Sequence, residues 1–238
     1  MKIFRIIIIS NILIFLLGCD KNDENIFLEG NIVGFVNHLV DETGNEVEDK
    51  SGVNVTIEGL TSSAITNEDG RFELSNVRAG TYNIIYKKTG YGSLKIFGFQ
   101  FIGGNIPAML YETTLYEQPK IDIQSLDISF NGNIINITGE ITEPNYFSVQ
   151  IFINDSSNVS NENYDYASAR YSYSDWTYTQ FSQNIYLNET PYSQGDKVYL
   201  VIYFINPNEE SGYYDYEKET LTYSSYKKAS SVINLILE

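Results

Sequence analysis

Apolar residues recur along this chain with a period of two. Val53, Val55 and Ile57 alternate with Asn54, Thr56 and Glu58, which predicts a strand with one buried face. Phe72 and Leu74 alternate with Arg71 and Glu73, and Tyr82, Ile84 and Tyr86 follow in the same rhythm. Asn67-Glu68-Asp69-Gly70 separates Ala64-Ile65-Thr66 from the Phe72 run. A hairpin is expected there, with Gly70 supplying the positive φ of its turn. Val77-Arg78-Ala79-Gly80 predicts a second turn, and further strands are expected over 94–101 and 107–115. His38 falls in an expected loop, 38–51, and has no placed partner for a mechanism.

The pattern restarts after Gln118-Pro119-Lys120. Pro119 lacks an amide donor and biases Gln118 toward extended backbone, which makes this the best internal break. Ile121, Ile123, Leu126, Ile128 and Phe130 lead to a turn at Asn131-Gly132. Ile135, Ile137, Gly139 and Ile141 form the next strand, then Phe147, Val149, Ile151 and Ile153. Lys197–Ile205 is almost continuously apolar, so a central strand covered on both faces is expected, and Val232–Leu237 closes the chain. No helical period survives past the first residues. The prediction is an all-β protein: two β-sandwich domains in series, over 27–118 and 119–238. The second has the strand count and turn spacing of an immunoglobulin/fibronectin-III-like sandwich.

Residues 1–18 read differently. Lys2 and Arg5 precede Ile6–Ile9 and Ile12–Leu17, an apolar run too short to span a bilayer comfortably, so a signal peptide is expected. Leu16-Leu17-Gly18-Cys19 resembles the lipobox of bacterial lipoproteins, in which the peptidase cuts before a diacylated cysteine; Leu17 is larger than the family's usual residue there. The resemblance implies lipidation of Cys19, with acyl chains that anchor without a transmembrane helix. Residues 19–26 are then an acidic tether. They are similar to the stretch that accompanies export to the outer face of the outer membrane in Bacteroidetes lipoproteins.

A second resemblance runs over about 28–117. Gly30-Asn31-Ile32-Val33, Gly44-Asn45-Glu46-Val47, Gly52–Ile57, Thr66–Phe72, Val77–Tyr82 and Gly90-Tyr91 stand in the order of the carboxypeptidase regulatory-like domain. That likeness implies a seven-stranded transthyretin-like sandwich and an accessory role, with no catalytic residue carried over.

Composition narrows the chemistry. One Cys and one His leave no zinc-site ligand set and no internal disulfide. A net charge of −16 argues against nucleic acid. Removing 1–18 takes Lys2 and Arg5 with it and moves the net charge to −18. A surface so acidic repels anionic headgroups, so lipid on Cys19 is the expected membrane contact. No metal and no cofactor is expected. Fourteen of the 20 tyrosines follow residue 160. If Ser174-Asp175 is a two-residue turn, Tyr171, Tyr173, Trp176 and Tyr178 share one face. That face is either an aromatic platform for sugar rings or, more economically, the buried side of a half-buried hairpin. Tyr213, Tyr214 and Tyr216, in the polar stretch 206–219, are further candidate ligand contacts; a solvated loop is the simpler reading of that stretch and of 154–166. Neither has the spacing of a calcium loop.

The expected function is a non-enzymatic surface lipoprotein, a binding or scaffold module contacting a glycan or an outer-membrane protein. The alternative is a fimbria-like fibre subunit donating its last strand. A glycan hydrolase with a carboxylate pair stands third.

Overall fold

The computed structural model describes residues 28–238. The expected signal peptide, Cys19 and the tether lie outside the described residues. The first half contains β1 (Glu29–Val40), β2 (Asn54–Ile57), β3 (Ser63–Ile65), β4 (Arg71–Arg78), β5 (Gly80–Lys87), β6 (Ser93–Phe101), β7 (Ala108–Met109) and β8 (Thr113–Tyr116). One sheet has the order β4-β1-β7, with β8 taking over from β7 farther along β1; the other has the order β3-β2-β5-β6. The inward members of each alternation meet between them. Ile32, Val36 and Leu39 of β1 pack with Val55, Ile57, Phe72, Leu74, Ile84, Tyr86 and Leu115.

Three expectations need correction here. The strands flanking 67–70 are not a hairpin: β3 pairs with β2 in one sheet and β4 with β1 in the other. Gly70 does hold φ +80. However, its turn carries the chain between sheets, because Thr66 is buried and pinned to the β2 side. Its hydroxyl donates to Lys50 O (2.7 Å) and accepts from the Val53 amide (3.0 Å). Alternation alone cannot separate a hairpin from such a crossing, since each keeps one face inward. His38 lies in β1 rather than in a loop, with Nδ1 3.2 Å from Glu46 Oε2. The strand expected over 107–115 is broken into β7 and β8.

The second half contains β9 (Ile123–Asn131), β10 (Ile134–Ile141), β11 (Phe147–Asn154), β12 (Tyr166–Ala167), β13 (Tyr171–Tyr173) and β14 (Gln180–Tyr186). A single 3₁₀ turn at Leu187–Glu189 follows, then β15 (Lys197–Ile205), β16 (Tyr213–Asp215), β17 (Thr220–Thr222), β18 (Lys227–Lys228) and β19 (Ile233–Ile236). A sheet of order β14-β10-β9 faces one in which β11 and β15 are central. β12 and β13 flank β11, and β18 and β19 flank β15. Three strands against four, with the chain crossing between sheets after β10, β13 and β14, is the immunoglobulin/fibronectin-III-like arrangement. Ile135, Ile137, Phe147, Val149, Ile151, Phe181, Val198, Leu200, Ile202 and Phe204 fill the space between.

As expected, β15 is covered on both faces, and β11 is too. The outer face of that sheet carries a second apolar cluster: Phe152, Val201, Tyr203 and Ile205 packed by Val159, Tyr223 and Tyr226. Val159 comes from a stretch read as a solvated loop, and Tyr223 and Tyr226 follow directly after the other. Phe152, Tyr203 and Tyr226 meet edge to face, with centroids 5.5–5.6 Å apart.

Candidate functional site

The stretch 206–226 does more than cover a sheet. It leans against the first sandwich and, with it, encloses a cleft of about 900 Å³. The floor is the outward half of the alternation in β2, β5 and β6. Register places Asn54, Lys87 and Ser93 in one cross-strand row, with Ile85 opposite Lys95 in another.

Buried polar groups hold the roof. Asn206 is fully buried at the start of the loop. Its Nδ2 donates to Asp41 O (3.1 Å) and Glu117 O (2.9 Å) in the first half, and its Oδ1 accepts from the Asn208 amide (3.0 Å). The carboxylate of Glu209, which is 3% exposed, accepts from the amides of Ser224 (2.6 Å) and Ser225 (2.9 Å) and from the Ser225 hydroxyl (2.6 Å). The Arg170 guanidinium donates to Pro207 O (2.9 Å) and to Glu209 O, and stacks 4.8 Å from the Tyr223 ring centroid. Each bond satisfies a group that burial would otherwise penalise.

The halves touch backbone to backbone. The Ser93 amide donates to Ser224 O (2.9 Å), and a Cβ on Gly92 would stand 1.3 Å from that oxygen. Gln118 Nε2 donates to Tyr226 O across the same junction.

The hairpin of β16 and β17 closes one end. Lys95 Nζ lies 2.9 Å from Glu217 Oε2 and 2.9 Å from Glu58 Oε2, and Asn83 Nδ2 donates to Glu217 Oε1 (3.1 Å). Tyr216 meets Phe97 edge-on at 5.9 Å. Burial disfavours charge on Lys95, but the hydrogen bonds it donates to Glu217 and Glu58 outweigh it and hold its pKa above the ordinary value. The Asn83 amide and then Lys95 hold Glu58 below the usual carboxylate range. Burial, then the charges of Asp215 and Glu209, push the Tyr213 phenol up to about 12.

Amides (Gln118, Asn161), hydroxyls (Thr89, Ser93, Ser224) and the tyrosines Tyr91 and Tyr213 line the cleft, joined by the charged residues Lys87, Lys88, Lys95, Lys218, Glu58, Glu162, Asp215 and Glu217. The Ser224 hydroxyl stands out: the residue is 4% exposed, and its Oγ has no hydrogen-bond partner among the described residues. The Asp215 carboxylate is already occupied by the amides of Glu217 (2.9 Å) and Lys218 (3.1 Å). Among the described residues, no group of three or more His, Cys, Asp or Glu is placed to hold a metal ion.

The expected contact residues are dispersed. Tyr213 lines the cleft, whereas Tyr214 and Tyr216 pack on each other at 5.0 Å outside it. The strip Tyr171, Tyr173, Trp176 and Tyr178 is not one face. β13 pairs with β11, and residues 174–179 cross to β14 in the other sheet, so the turn at Ser174-Asp175 does not form. Tyr173 turns inward, stacked on Phe147 at 5.0 Å, and its hydroxyl donates to Ser182 O (2.9 Å). Tyr171, Trp176 and Tyr178 stay about half exposed, Trp176 edge-on to Tyr146 at 6.0 Å. Sequence reasoning missed Asn206, Glu209, Gln118 and Ser224. Only Asn206 carried a signal, as a polar residue directly after the most apolar strand.

Residues 38–97 match the family model of the CarboxypepD_reg-like domain. That segment spans β2 to β5 and most of β6, so the CarboxypepD_reg-like segment supplies the floor of the cleft. No curated protein matches the chain. Among solved structures, a candidate carbohydrate-binding protein from Bacteroides uniformis is similar at 17% identity and a TM-score of 0.37, covering 88% of this chain and 100% of its own. A DUF3823 family protein from Parabacteroides merdae is similar at 14% identity and a TM-score of 0.33, covering 88% and 99%. A type II cohesin–X-dockerin complex from Acetivibrio cellulolyticus matches at 22% identity and a TM-score of 0.31, covering 37% and 58%.

Proposed function

We propose that this chain is a non-enzymatic, lipid-anchored accessory protein of the outer membrane, facing the cell exterior, and that it binds a glycan in the cleft between its sandwiches. The observation that carries the reading is the wall chemistry. Amides, hydroxyls and a balanced set of four basic and four acidic side chains converge with Tyr91 and Tyr213 on one concavity. Sugar hydroxyls both donate and accept, and a pyranose face stacks on a phenol, so a saccharide satisfies such a wall. An outer-membrane protein partner would use the same accessory role through a wider surface.

The fibre reading fares less well, because β19 is already hydrogen-bonded to β15 of its own chain from Ile233 to Ile236. Donating it would break that ladder. The test is a glycan array probed with the mature chain, together with a pull-down from outer membranes. Binding to an oligosaccharide that Tyr213→Ala weakens supports the proposal. An empty array and an empty pull-down reduce the protein to a scaffold and overturn it.

A further inference from the structure

We propose that the end of the first sandwich where the chain enters β1 is a lipid-facing rim, with Leu28, Ile102 and Ile106 inserted at the surface of the bilayer. Ile106 is 86% exposed and Ile102 80%, and Leu28 is more than half exposed. They are neighbours. The Gly104 amide donates to Glu29 O (3.0 Å), and a Cβ on Gly103 would stand 2.8 Å from Leu28 Cβ. The parallel pairing of Ile32 with Ala108 brings Ile106 level with the start of β1. Met109 and Tyr111, also exposed, continue the patch along the sheet edge.

Three observations select a lipid surface as the occupant. The first is charge. In a chain of net charge −16, no charged residue stands between Lys95 and Glu112, and Glu29 beside the rim is paired with Arg78 at 3.2 Å. The rim therefore escapes the repulsion that the rest of the surface would meet from anionic headgroups. The second is reach. Cys19 and Leu28 are nine positions apart, so a chain anchored at Cys19 holds this end within about 30 Å of the bilayer. The third is polarity along the molecule. The far end of β1 meets the second sandwich through Asp41, and a strand of this length spans roughly 40 Å. The rim and the cleft thus sit at opposite ends, which leaves the cleft facing away from the membrane. The inference rests on lipidation of Cys19 in the proposed function.

Its test reconstitutes the mature lipoprotein into vesicles of phosphatidylethanolamine and phosphatidylglycerol with brominated acyl chains. The native Trp176, in the second sandwich, reports the far end, and Ile106→Trp with Trp176→Phe reports the rim. The exposed position accepts the larger ring, which an unchanged melting temperature checks. Apolar side chains of interfacial segments sit about 5–10 Å into the headgroup boundary, so rim fluorescence is expected to fall roughly twofold or more while Trp176 keeps its intensity. Equal intensities on vesicles that carry the protein overturn the rim and leave the anchor standing. Protein that fails to float with the vesicles removes the anchor, and the rim with it. A dimer in detergent that Ile106→Ser dissociates would assign the patch to a second copy and overturn the proposal.

Discussion

The outer faces of the two central sheets make opposite use of similar alternation. In the first sandwich, the outer face of β2, β5 and β6 stays polar and becomes the floor of the cleft. In the second, the outer face of β11 and β15 carries Phe152, Val201, Tyr203 and Ile205 and is roofed by Val159, Tyr223 and Tyr226. The difference lies in the connections. Those on the β2–β5–β6 sheet are short, whereas 206–226 is long enough to fold back, bury its aromatics and present its polar side to the neighbouring sandwich. A cleft results because one sheet brings its own roof and the other supplies an unroofed face.

The comparison breaks most sharply at the contact between the halves. Gly92→Ala places a methyl group against the Ser224 carbonyl, which backbone on both sides cannot relieve cheaply. A loss of about 3 kcal/mol is expected, with the two halves of the variant melting in separate calorimetric transitions where the parent melts in one. One unsplit transition at the original temperature would mean that the halves do not depend on this junction. Glu209→Gln comes next. It keeps the shape but turns an amide group toward the donors of Ser224 and Ser225, at a cost of about 2 kcal/mol in urea unfolding. An unchanged midpoint would show that the roof is held by its aromatics alone.

A smaller effect follows from pH. Glu58 is lowered in the folded protein, so its contribution is complete above the ordinary value of 4.5 and is lost as pH falls through the folded value. Lys95 is raised, so its contribution is complete below 10.5 and is lost as pH rises through the folded value. The β16–β17 hairpin should therefore loosen at both extremes, read as faster hydrogen exchange at Tyr213–Thr222 after correction for the intrinsic rate. Lys95→Met should flatten that dependence. The smallest effect belongs to Trp176→Ala, which removes a half-exposed ring and should change stability by no more than about 0.5 kcal/mol.

Much of the fold is legible in the residues. The alternations at Val53–Ile57 and Ile135–Ile141 and the continuous apolar run of β15 locate strands, because burial on one or two faces writes itself directly into the period. Sheet assignment is less legible. The turn at Gly70 has the expected φ but joins two sheets, since a crossing and a hairpin leave the same local pattern. The site is the least legible part. Tyr213 is visible as one of a tyrosine cluster, but the cleft depends on Asn206, whose partners lie 165 and 89 positions away, on Glu209, whose carboxylate is filled 15 and 16 positions on, and on Gly92, which meets the backbone of Ser224 in the other half. Polar residues that satisfy each other in a buried loop look, one by one, like solvated residues.

The claim at the centre is that the concavity between the sandwiches receives a glycan. Hydrogen exchange on the mature protein, with and without an oligosaccharide selected on the array, tests it most directly. New protection is expected over Lys87–Lys95 and Tyr213–Tyr226 together. Protection confined to Tyr171–Tyr178, with both walls of the cleft unchanged, would contradict it.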